Sequence, residues 1–97
     1  MVQLLTLIYD SAIDETMMEL LAELRVPGYT KIFDTHGIGG RGRKENTPVY
    51  PGTNHVLLIA APEEETRRIT GAVRRLQETF RLRPGVTMIL QDAELAE

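Results

Sequence analysis

The chain has 97 residues, 42% of them apolar, which suffices for one globular domain and is too aliphatic for a disordered one. A formal net charge of -3 argues against nucleic acid as the main partner, and the absence of cysteine excludes disulfides, thiolate metal sites and cysteine nucleophiles. The opening apolar run "MVQLLTLIY" lacks a basic leader and a small-residue cleavage site and is too short to span a bilayer, so a cytoplasmic location is expected.

Residues Val2 to Tyr9 are aliphatic and β-branched and stop at Asp10-Ser11, a strand followed by a helix start. Ser11 with Asp14 three residues on resembles a capping box. Ile13, Met17, Leu20, Leu21 and Leu24 recur at helical spacing, and the helix ends before Pro27-Gly28. Tyr29 to His36 reads as a second strand of mixed polarity. His55 to Ala61, "HVLLIAA", reads as a third, apolar on both faces. Pro62 and the acids Glu63, Glu64 and Glu65 open a helix whose inward stripe is Ile69, Ala72, Val73, Leu76 and Phe80. Pro84-Gly85 closes it, and Val86 to Leu90 is the last strand. The order βαββαβ is that of an α+β, ferredoxin-like domain over residues 1–97: an antiparallel four-stranded sheet with two helices on one face. The first and third strands are central in such a sheet. Their second apolar face is left to water by the helices, which predicts burial against other subunits.

Between the second and third strands lies "GIGGRGRKENTPVYPGTN". A connection this long in a small domain is functional or disordered. Its glycines allow consecutive amides to converge on an anion, and Arg41, Arg43 and Lys44 would add charge-assisted bonds; the run reads equally as a solvated loop tip. His36 and His55 flank it at the ends of pairing strands and, with Asp34, are weak metal candidates; strand-end histidines are more often bonded to backbone or water, so no metal site is expected. Arg67, Arg68 and Arg74 have glutamates four residues away, and with Arg75 they read as a solvated helix face. The only serine is Ser11 and no nucleophile motif is present, so no enzyme activity is expected.

The stretch "RVPGYTKIFDTHGIGG" resembles the P-II nitrogen-regulatory signalling proteins and their P-II-like relatives, the motif itself covering Gly28 to about Lys44. The resemblance implies a homotrimer with its sheets facing inward and a T-loop at 37–52 that contacts a partner protein, a membrane transport system being the expected class. It also implies a small anionic effector, an adenine nucleotide (ATP, ADP or AMP) among them, in clefts between subunits. The effector-binding residues it points to are Thr30, Gly37, Gly39, Gly40, Arg41, Gly42, Arg43 and Lys44. The chain departs from the family pattern in three places. From Thr30 to Gly37 there is one residue more than usual, which calls for a bulge or a shifted register. Arg41 stands where the pattern carries glutamine, and "RLRPG" stands where P-II proteins have a glycine- and lysine-rich phosphate loop, so the ordinary P-II mode of ATP binding is not expected. The alternative reading is a divalent-metal-binding stress protein of CutA type, which shares the trimeric plan; its motifs are not seen here.

Overall fold

In the protein's structure, a computed structural model, residues 2–39, 42–46 and 52–97 are described. Alternation sets the sheet. Strand β1 (Val2–Asp10) turns Leu5, Leu7 and Tyr9 to one side, each fully buried, and Leu4, Thr6 and Ile8 to the other, half-buried. Helix α1 (Asp14–Glu23) follows a short 3-10 turn, and its Met17 and Leu21 meet the buried side of the sheet. The cap differs from the capping box expected at Ser11. The Asp10 carboxylate accepts from Ala12 N–H at 2.9 Å, while Ser11 and Asp14 bond across to other elements. A first turn tightened to 3-10 brings Asp10, one residue earlier, into the capping position.

Strand β2 (Thr30–Thr35) leads into two short strands, β3 (Gly37–Gly39) and β4 (Gly42–Lys44), which pair antiparallel as a separate ribbon. The expected glycine loop therefore begins as β-structure. Strand β5 (Asn54–Pro62), helix α2 (Glu63–Thr79) and strand β6 (Val86–Ala93) complete the chain. The main sheet is antiparallel in the order β2-β5-β1-β6, with Leu5 opposite both Ile59 and Leu90. Both helices contribute to the core under this sheet, Ile69 and Val73 from α2 joining Leu57 and Ile59 in one buried cluster. Each fully buried aliphatic side chain contributes about 1.5–3 kcal/mol. The fold is thus the ferredoxin-like one, with β1 and β5 central.

The register of β2 on β5 carries the extra residue. Ile32 is opposite Val56 and Thr35 is opposite Asn54, so the stretch from Ile32 to Thr35 spans one residue more than its partner. The bulge contains Asp34 at φ 54°, a left-handed conformation that aspartate tolerates better than most residues.

Candidate functional site

Both ends of the long connection are fastened at the end of the sheet where β1 stops. Thr35 Oγ1 donates to the Asn54 carbonyl at 2.8 Å, and Ser11 N–H donates to the Thr53 carbonyl at 3.0 Å. Thr53 Oγ1 lies 3.0 Å from Ser11 Oγ and 3.2 Å from the Asp34 carboxylate, bridging the turn after β1 to the bulge. In the ribbon Gly37 pairs with Lys44, Ile38 with Arg43 and Gly39 with Gly42. Lys44 reaches back to Asp10 at 2.8 Å and to Asn54 Oδ1 at 3.0 Å. Asn46 N–H donates to the Gly52 carbonyl at 3.1 Å, and the positive φ of 90° at Gly52 makes that return.

Beneath the fastening lies a polar cluster. Asp14 accepts from Lys31 Nζ at 2.6 Å and from the Tyr9 hydroxyl. Burial, with the hydroxyl donated to Asp14, pushes the Tyr9 phenol well above its ordinary range. Burial alone would raise the Asp14 carboxyl, but the bonds from Lys31 and Tyr9 outweigh it and hold the group below the ordinary carboxylate range. Lys31 also stands 4.4 Å over the Phe33 ring. His55 is 6% exposed, edge-on to Tyr9 and Phe33, and its Nδ1 accepts from the Asp34 N–H at 3.0 Å.

Two clefts open at opposite ends of the sheet. The first, about 820 Å³, is lined by Gly37, Gly39 and Lys44 from the ribbon, Arg74 from α2, and Arg83 and Gly85 from the turn before β6. That turn is held by buried Gln77, which donates to the Pro84 carbonyl at 3.0 Å, and by Asp10 N–H donating to the Gly85 carbonyl at 3.2 Å. The second, about 1020 Å³, is lined by Val26, Gly28, Tyr29, Thr30, Leu58 and Arg68 among others.

Gly37, Gly39 and Lys44 therefore come together on one cleft, and Thr30 lies on the other. Gly42 and Arg43 are in β4, where only their backbone is described; Gly40 and Arg41 lie outside the described residues, as do positions 47–51 of the 37–52 segment. Among the described residues no group of three His, Cys, Asp or Glu could hold an ion, and His55 Nδ1 is bonded to the Asp34 backbone N–H. Sequence reasoning missed Arg74 and Arg83 as cleft residues. The ion pairs described on α2 are Arg67 with Glu63 and Arg68 with Glu65, so Glu65 takes the partner expected for Glu64. The signal for Arg83 was the odd "RLRPG" itself, which stands where a phosphate loop was expected, and nothing in the sequence marked Arg74. Among the described residues no helix is long and apolar enough to cross a membrane.

No family model matches the sequence, and no curated protein matches it. Solved structures do. CPII from Thiomonas intermedia K12, a nitrogen regulatory PII-like protein bound to ADP, AMP and bicarbonate, superposes with a TM-score of 0.78 at 20% identity, over 99% of this chain and 89% of that one. A structure described as that of a PII-like signalling protein from Thermus thermophilus gives 0.62 at 26% identity, over 93% and 84%. A DUF3240 family protein from Shewanella baltica OS155 gives 0.68 at 18% identity, over 98% and 97%. The resemblance carried by Gly28 to Lys44 thus extends over nearly the whole chain: this protein has the fold of the PII-like signalling proteins.

Proposed function

We propose that the chain is a PII-like homotrimeric signalling protein that binds an anionic effector, an adenine nucleotide of the ADP or AMP class, in clefts between subunits. It presents the 37–52 segment to a partner protein, a membrane transport system being the partner class, and acts by binding rather than by catalysis. The observation that carries this reading is the division of the effector residues. Thr30 opens the extended strand β2 and Gly37 stands two residues past its far end, on separate clefts of one chain. At about 3.3 Å per residue such a strand holds its ends roughly 20 Å apart, so one small ligand meets both only across a subunit boundary. Bicarbonate and adenine nucleotides in the similarly folded CPII support this class of ligand. Arg83 and Arg74 supply charge that the missing phosphate loop would otherwise provide. The 37–52 segment adds Gly40, Arg41 and Arg43 to the same role, and a cytoplasmic setting suits it.

The test is complementation. Thr30→Ala and Arg83→Ala should each weaken ADP binding in calorimetry. Co-assembled mixtures of the two variants should recover about a quarter of the wild-type sites, because each intact site draws its halves from different subunits. Mixtures that recover nothing would place the whole site within one chain. Arg41→Ala with Arg43→Ala should leave the melting temperature nearly unchanged and weaken ADP or partner binding, more so at low salt.

A further inference from the structure

The bulge in β2 is held by a titratable acceptor. Asp34 adopts φ 54°, a left-handed conformation that is strained for a non-glycine residue, and its N–H is satisfied by His55 Nδ1 at 3.0 Å. The Asp34 carboxylate stands 3.9 Å from that same nitrogen, with Asp34's side chain 69% exposed, while Thr53 Oγ1 lies 3.2 Å from the carboxylate. One residue therefore offers the imidazole either a donor or an acceptor.

We propose that His55 is a proton-sensitive latch on the base of the long connection. With Nδ1 unprotonated, the ring accepts the Asp34 N–H and fixes the bulge. When a solvent proton adds to Nδ1, two donors face each other, that bond is lost, and the Asp34 carboxylate becomes the ring's partner. The carboxylate is then drawn from Thr53, which ties the returning end of the connection to Ser11. A single proton thereby acts at both ends of the segment, at Thr35 through the bulge and at Thr53 through the carboxylate. The groups that face the ring are Tyr9 from β1, neutral and edge-on; Phe33 and Asp34 from β2, with Lys31 beyond Phe33; and Asp14 at the start of α1, within electrostatic reach. Lys31 is paired with Asp14, so Asp34 is the carboxylate placed to receive the proton's charge. This latch does not depend on which effector the protein binds.

Nuclear magnetic resonance on the full chain without ligand tests it. Between about pH 8 and about pH 5.5, a range that brackets ordinary imidazole titration, the Asp34 and His36 amide signals should move together with the His55 ring signal. Exchange protection of the Asp34 amide, corrected for the intrinsic rate, should fall about tenfold, the size of one lost hydrogen bond. His55→Asn keeps at the Nδ1 position an acceptor that does not titrate, and should hold the Asp34 signal flat across the range. Asp34→Asn suits the same backbone conformation, removes the competing carboxylate, and should lower the midpoint of the His55 titration. The latch is overturned if the ring titrates while the Asp34 amide stays still, if the ring does not titrate in this range, if His55→Asn shows the wild-type movement, or if Asp34→Asn leaves the midpoint in place. Should His55→Asn fail to fold, the Asp34→Asn arm still decides.

Discussion

Asp14 gathers two donors on one carboxylate oxygen, and one of them, Lys31, has only 9% of its side chain exposed. Removing the anion strands a poorly solvated cation. Asp14→Asn is expected to cost about 2 kcal/mol in urea denaturation at neutral pH. The sign of the pH dependence follows from the lowered carboxyl: its stabilisation is present above the ordinary carboxylate range and is lost as pH falls through the folded-state value. The cost of Asp14→Asn should therefore shrink in acid, and an equal cost at neutral pH and at about pH 2 would refute the ion-pair account. Tyr9 acts at the other extreme. Its phenol is raised, so its contribution is complete below the ordinary phenol range and is lost as alkali forces ionisation of a buried ring. His55 bonds to backbone, as its place at a strand end suggested, by accepting the Asp34 N–H. It is also buried between two aromatic rings and not loosely held, which its position beside a long connection does not foretell. His55→Ala should lower stability by about 2–3 kcal/mol, from the cavity and the orphaned Asp34 N–H together, as read by thermal melting. A melting temperature within a degree or so of wild type would return His55 to the loosely held class.

At the scale of elements, the turn before β6 depends on a side chain from α2. Gln77 is buried and spends its amide on the Pro84 carbonyl, which fixes the loop that carries Arg83. Gln77→Leu should cost about 1–2 kcal/mol in urea, and should weaken ADP binding beyond what that loss explains, because the cation is no longer positioned. Unchanged affinity would separate the turn from the site. Elements whose cause is local were legible in the sequence, the strands from their aliphatic and β-branched runs and α2 from its apolar stripe, and the bulge followed from counting Thr30 to Gly37 against the family pattern. Those whose cause is tertiary were not. Glycine has little intrinsic preference for strands, so nothing in "GIGGRGRK" distinguishes a ribbon from a loop until Lys44 is seen anchored on Asp10 and Asn54. Ser11 and Asp10 are both good caps, and a 3-10 first turn decided between them. The assignment of Arg74 to a solvated face rested on glutamates at helical spacing, while its place on the cleft comes from the fold bringing the ribbon and the turn before β6 alongside α2.

For the molecule as a whole, the decisive feature is the face of the sheet that neither helix covers. Leu4, Ile8, Val56, Leu58, Ile32 and Ile89 share it, with Ile32 45% and Ile89 44% exposed. It is continuous across all four strands, because Thr6 has Leu58 on one side and Ile89 on the other, and Ile8 has Val56 and then Ile32 beyond it. An apolar surface of that continuity normally marks an interface. If copies of the chain bury it, Leu58→Glu or Ile89→Glu should place charge in a dry contact while leaving the helix-side core intact, since Leu57 and Met88 point the other way. Light scattering at micromolar concentration is expected to give three times the chain mass for the wild type and the chain mass for either variant, with native helix content by circular dichroism. ADP binding should disappear with the trimer, as a site divided between Thr30 and Arg83 requires. A wild-type monomer would leave the open face to another partner and remove the divided site with it. A monomeric variant that still bound ADP at full strength would keep the trimer and place the site within a single chain.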